Sequence, residues 1–187
     1  ELFLAAQEEF SKKQESALVF PSLAAAWRCA DYVKQRTGTS CRLESYGWEN
    51  LTVVLLDESA YETGWKCWQH GGEIVSSRLA ESALSDAPLD PAVIDAGETA
   101  RNTIRERIAS FHDGVEPGDV FLFSSGMAAI FAIHRILSAR TSGLPSIQVE
   151  FPYLDSFKVL DEFGGGVVDF SNTESGGVAE VTQWIAD

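Results

Sequence analysis

The sequence predicts a mixed α/β protein: an N-terminal α+β segment, then a parallel sheet covered by helices. Three observations carry this reading. From Val120 to Phe170, apolar runs alternate with helical stripes as strand–helix–strand–helix–strand, the order that builds a right-handed parallel sheet. Before residue 85 the order differs, with helices around two short strands. The 187 residues, 45% apolar and 11% aromatic, suffice for one core of good size and rule out disorder or collagen-like repetition.

Residues 2–14 and 21–35 read as helices, the second opening after Pro21-Ser22 and closing near Gly38. Cys41 to Tyr46 and Leu51 to Leu56 read as strands around Gly47. Ser59 to Leu84 is helical by pattern, broken around Gly71-Gly72. Ser85-Asp86-Ala87-Pro88-Leu89-Asp90-Pro91 holds two prolines and two aspartates and reads as linker. A helix follows at about 98–112, where Ile104, Ile108 and Phe111 form one apolar stripe. Val120-Phe121-Leu122-Phe123 then reads as a buried strand and Ser124-Ser125-Gly126 as a tight turn. Met127–Leu137 is a helix, Ile147–Phe151 a strand, Asp155–Phe163 a helix and Val167–Phe170 a strand. The expected organisation is therefore an α+β extension over 1–84, a linker over 85–97 and the start of an α/β domain over 98–187.

Charge excludes some partners. Fourteen Lys+Arg against 28 Asp+Glu give a net −14, and the pI is near 4.5. No basic stripe is available for phosphates of nucleic acid, and an anionic membrane surface would repel the chain. No apolar run approaches the ~18–20 residues of a membrane span. The first residues, Glu1 to Glu9, carry acids where a signal peptide carries lysines. Cys29, Cys41 and Cys67 are odd in number and lack CxxC spacing, so neither a disulfide framework nor a zinc site is expected. A reducing, cytoplasmic setting and no metal are the expectations.

The turn Ser124-Ser125-Gly126-Met127 lies between a strand and a helix. Small residues there let backbone N–H groups approach a ligand, and a helix start favours an anion such as phosphate. The plain alternative is a strand–helix turn with serine as N-cap. The spacing fits neither GxGxxG nor GxxxxGK[ST]. Tyr153, at the end of the next strand, would gather with Ser125 and Gly126 on the edge where open parallel sheets bind ligands. A phosphate turn beside an aromatic ring suits a planar, phosphorylated cofactor. Taken singly, Tyr153 reads as a loop tyrosine packed on a helix; its place at a strand end beside the turn sets the ligand reading level with that one. His134 reads as packed or surface, His112 as a helix C-terminal cation, and His70 as structural.

Phe123-Ser124-Ser125-Gly126-Met127-Ala128-Ala129-Ile130, followed by Phe151-Pro152-Tyr153-Leu154-Asp155-Ser156-Phe157-Lys158, resembles the pyridoxal-phosphate enzymes of cysteine and methionine metabolism. The similarity is greatest to the long cystathionine γ-synthases of fungi. Trp65-Lys66-Cys67-Trp68-Gln69-His70-Gly71-Gly72-Glu73-Ile74-Val75-Ser76-Ser77-Arg78 and the helix Ala100 to Ala109 add to it. The resemblance implies the first half of a fold type I (aspartate aminotransferase-like) large domain. It places the phosphate of pyridoxal 5′-phosphate on the amides of Gly126 and Met127 with Ser125 adjacent. Tyr153 would stack on the pyridine ring and assist proton transfers near it.

It also implies parts that these residues lack. Such enzymes need a Schiff-base lysine and an acid on the pyridine nitrogen. Lys12, Lys13, Lys34, Lys66 and Lys158 have no Ser-x-x-Lys-like setting. Leu84 to Ala96 has neither the Tyr nor the Arg that reaches a neighbouring subunit's phosphate in the family; Arg78 and Arg101 are candidate substitutes. The expectation is part of a homo-oligomeric methionine-biosynthesis enzyme that replaces the γ-group of an activated homoserine with a thiol, inactive as these residues alone. The alternative is a non-catalytic remnant that binds an anion or assembles with a homologue.

Overall fold

The computed structural model describes residues 1–47, 51–150, 153–170 and 182–183. Its contacts form two compact units, residues 1–69 with 73–124 and residues 70–72 with 125–187.

The first unit is built on one buried strand. Strand β3 (Leu51–Asp57) runs antiparallel between β1 (Glu15–Phe20) and β2 (Arg42–Tyr46), with Leu18 and Leu43 both opposite Val54. Leu51 to Leu56 are all buried, so helices must cover both faces of the sheet. On one face Val53 and Leu55 join Ala17 and Val19 under Leu2 and Ala6 of α1 (Leu2–Phe10). Helix α2 (Leu23–Thr37) follows β1; Ser22 Oγ accepts from Ala25 N at its start, and Gly38 closes it in the left-handed conformation. On the opposite face α3 (Tyr61–Gly71) comes close at Gly64. A Cβ there would lie 2.8 Å from Leu56 Cδ1, 3.0 Å from Leu18 Cδ1 and 3.7 Å from Val33 Cγ2.

Strand β1 adds to the expected elements, since the helical pattern at the N-terminus continues through residue 14. The helix instead stops at Phe10, Ser11 is extended and Gln14 turns the chain at φ 71°. Gln7 holds the reversal, donating to Glu15 O at 2.6 Å and accepting from Ala17 N at 2.7 Å. Arg42 adds charged contacts to Glu15 at 2.9 Å and Glu44 at 2.6 Å.

Helices α4 (Ser77–Ser85) and α5 (Pro91–Ala109) follow. Asp90 caps α5 at Ala92 N with proline in the first turn, so this helix begins well before the expected residue 98. Val120–Phe123 is a correction. It has an extended conformation at its start but pairs with no strand among the described residues, and Phe121 is 77% exposed. An apolar run becomes a buried strand only where a neighbour takes its backbone hydrogen bonds, and none is in place here.

In the second unit α6 (Gly126–Arg140) leads to β4 (Ser146–Val149), then α7 (Leu154–Glu162) and β5 (Val167–Phe170). The two strands are parallel, with Ile147 opposite Val168. Among the described residues the expected three parallel strands are thus two, and Phe151 lies outside those residues. Phe131 of α6 meets Phe163 edge-on at 4.8 Å, and Val159 of α7 is wholly buried.

His134 is buried on α6 and its Nε2 has no hydrogen-bond partner among the described residues. Burial holds its pKa below the ordinary 6.5. The unfolded chain therefore binds a proton below about pH 6.5 that the folded chain refuses, so stability is full above that pH and falls as the solution is acidified. Urea midpoints at pH values above and below this point are expected to diverge in the unsubstituted chain. His134→Gln should narrow that divergence.

Candidate functional site

The second unit gathers two helix starts around three residues from far back in the sequence. Ser125 is the N-cap of α6. Its hydroxyl accepts from Ala128 N at 3.0 Å and donates to Gly72 O at 3.0 Å. The N–H groups of Gly126 and Met127, in the first turn, have no intrahelical acceptor. Gly126 is exposed, and a Cβ on it would meet nothing within 4 Å. The Gly126 side of the helix start is therefore uncovered.

Gly72 closes the other side. Its φ is +66°, and a Cβ there would sit 2.6 Å from both Ala128 N and Met127 Cβ and 2.8 Å from Ser125 Oγ. Gly71 lies against the Phe131 ring. His70 Nδ1 lies 3.3 Å from Asp155 Oδ1 in the first turn of α7, at ion-pair distance but without hydrogen-bond geometry.

Tyr153 is the N-cap residue of α7 and is 65% exposed, so a ring face is available. The Asp155 carboxylate beside it, as an acceptor for the phenol proton and as a charge, raises the phenol pKa above 10.0. Near neutral pH the group is a proton donor rather than a base.

Ser125, Gly126, Met127 and Tyr153 therefore all fall in one unit, at the starts of two helices joined through residues 70–72. The serine acts as N-cap, as the plain alternative held. Its hydroxyl proton goes to Gly72, which leaves main-chain amides as the donors for an anion. Sequence reasoning singled out the Trp65–Arg78 segment but gave His70 and Gly72 no part in the site. The paired glycines at a helix end were the available signal.

Lys158 is the second unit's lysine, and its Nζ lies 3.8 Å from Asp161. Lys12, Lys13, Lys34 and Lys66 belong to the first unit. Arg101 is exposed on α5 and pairs with Glu98 at 3.4 Å; Arg78 is exposed on α4. Among the described residues no group of His, Cys, Asp and Glu could hold a metal ion. No helix there is long and apolar enough to cross a membrane.

Residues 1–76 match the family model "Fungal trans-sulfuration enzyme, N-terminal domain". The chain is 34% identical over 94 residues to a cystathionine gamma-synthase of Saccharomyces cerevisiae, which covers 42% of this chain and 15% of the yeast protein. It is 31% identical over 153 residues to the alanine racemase ungC of Aspergillus violaceofuscus, covering 67% of this chain and 26% of that protein. A cystathionine gamma-synthase-like enzyme of Amanita muscaria, iboG1, is 27% identical over 71% of this chain and 31% of its own length. The chain thus spans less than a third of these relatives. No solved structure matches. The similarity to cystathionine γ-synthase and like proteins, expected from the sequence, is shown.

Proposed function

With the N-terminal part of the chain matching the fungal trans-sulfuration enzymes, we propose that these residues supply the phosphate turn and ring-stacking face of a pyridoxal-phosphate enzyme. The enzyme acts on an amino acid, by γ-substitution of an activated homoserine with a thiol. One observation carries the reading. The first-turn amides of Gly126 and Met127 and the exposed ring of Tyr153 lie in one unit, joined through His70–Gly72.

The residues present fit a phosphorylated, planar group. Gly126 leaves its side of the helix start uncovered, and two main-chain donors with the positive helix end favour an anion there. Ser125 fixes the first turn as cap. The Tyr153 ring offers a face for stacking, and its phenol holds its proton against Asp155. When bound, the cofactor supplies the electron sink for bond changes at the amino acid's carbons. This chain's residues bind and orient it. None of the five lysines has the setting for covalent anchoring, so the 187 residues alone bind the cofactor weakly and are inactive.

By the same reading the enzyme is a cytoplasmic homo-oligomer whose large domain has fold type I. The relatives' names include both cystathionine γ-synthase and alanine racemase, so an amino acid is the substrate class they share. The alternative is a non-catalytic remnant that binds an anion or a homologue; it predicts no preference for the pyridine ring.

Tyr153→Ala separates the two readings. The variant is expected to bind pyridoxal 5′-phosphate about 2- to 12-fold more weakly, the equivalent of ~0.5–1.5 kcal/mol for an aromatic stack. Inorganic phosphate should bind unchanged. Titrations followed by amide shifts in nuclear magnetic resonance spectra check this. Equal affinities for the variant and the unsubstituted chain would favour the remnant.

A further inference from the structure

We infer that His70-Gly71-Gly72 is a positioning segment, which sets the phosphate turn through Gly72 and the stacking tyrosine through His70; this rests on the cofactor reading above. The three residues are consecutive, yet each meets a different part of the site. Gly72 takes the hydroxyl proton of Ser125 on its carbonyl, 53 residues away in sequence. Gly71 lies against Phe131, further along the same helix. His70 stands 3.3 Å from Asp155, the carboxylate that holds the Tyr153 phenol.

The contact at Gly72 has little tolerance. At φ +66° any side chain is strained. A Cβ would also press on the Ala128 amide and Met127 Cβ at 2.6 Å, so the first turn of α6 must move to admit it. The carbonyl matters as well. Were it absent, the Ser125 hydroxyl would turn its proton elsewhere, toward an anion included. With that proton committed to Gly72, the hydroxyl keeps one orientation and remains the acceptor for Ala128 N. The amides of Gly126 and Met127 are then held in place before an anion arrives, which avoids reorganisation on binding.

His70 acts at the second helix start. Among the described residues Asp155 lies beside both the phenol of Tyr153 and the imidazole of His70. At 3.3 Å the imidazole limits where the carboxylate can sit, and so the direction from which it meets the phenol. Gly72 therefore governs the phosphate end and His70 the ring end. A segment that only stabilised the fold would not divide its effects in this way.

The test uses the 187-residue chain with pyridoxal 5′-phosphate, pyridoxal and inorganic phosphate, read by amide shifts. Gly72→Ala is expected to move the Met127 and Ala128 signals. It should weaken the two phosphate-bearing ligands about tenfold, equivalent to ~1.4 kcal/mol, and leave pyridoxal unchanged. Ser125→Ala should do the same, and Ser125→Thr, which keeps a hydroxyl, should restore the affinity. His70→Gln should weaken pyridoxal and pyridoxal 5′-phosphate alike and leave inorganic phosphate untouched. Melting curves identify a variant that has simply lost its fold. The inference is overturned if Gly72→Ala and Ser125→Ala bind as the unsubstituted chain does, or if every folded variant loses all three ligands equally. A failure of the cofactor reading looks different: the Gly126 and Met127 amides of the unsubstituted chain ignore all three ligands. Positioning by the segment is then judged on the ligand-free signals of Ala128 and Tyr153, which Gly72→Ala and His70→Gln must move.

Discussion

Leu55→Ala is expected to lower the stability of the first unit by about 2–5 kcal/mol, the range for emptying a buried leucine site. Leu55 is 1% exposed, in the middle of the strand paired on both edges. Its neighbours include Val53 on the same strand and Leu2 and Ala6 of α1, so helix and sheet would both lose contact. Two hydrogen-bonded strands hold β3 in place, and collapse around the gap would be partial. At ~2–4 °C per kcal/mol for a chain of this size, melting should fall by roughly 5–20 °C. Trp65 and Trp68, stacked at 4.9 Å in the same unit, report it by fluorescence. Leu4 on α1 is 67% exposed, and Leu4→Ala should stay within about 0.5 kcal/mol. Equal melting of both variants would contradict a core centred on β3.

Much of this architecture was legible. Ser22 and Gly38 bracket α2 as the sequence suggests, and the apolar run Leu51–Leu56 is a buried strand, as its pattern predicts. Helices α6 and α7 and strand β5 lie close to their expected places. What escaped depends on distant partners. Glu15 to Phe20 follows a helical stripe without a glycine or proline between them, and only the turn at Gln14 separates the two. Val120–Phe123 shows the converse: four residues with strand composition, left without a partner strand among the described residues.

The site divides in the same way. The sequence singles out Ser125, Gly126 and Tyr153 by local pattern and Met127 by the family resemblance, although the strand expected before the turn is not formed among the described residues. Gly72 could not, since its contact with Ser125 spans 53 residues. For His70, the partner Asp155 is 85 positions on in the numbering, and no local pattern joins the two. A histidine beside two glycines has no fixed meaning until folding supplies its neighbours.

The second large effect is chemical. Each hydrogen bond from Gly126 or Met127 to a charged phosphate contributes about 1.5–3 kcal/mol, and a stack on Tyr153 ~0.5–1.5 kcal/mol. Association costs at least ~4 kcal/mol. The net is small, so affinity should be no better than roughly millimolar. Covalent anchoring would change this, and of the five lysines only Lys158 lies in the unit with the site, 3.8 Å from Asp161.

The most direct measurement divides the 187-residue chain saturated with pyridoxal 5′-phosphate in two: one portion is dialysed and read by visible absorbance, the other is reduced with borohydride and mapped by peptide mass. The expected result is a colourless chain with no lysine uniquely labelled, and no product from activated homoserine plus cysteine. The same saturated sample should show shifted Gly126 and Met127 amides before reduction. One lysine labelled at full stoichiometry, with turnover, would contradict a cofactor site lacking its covalent anchor.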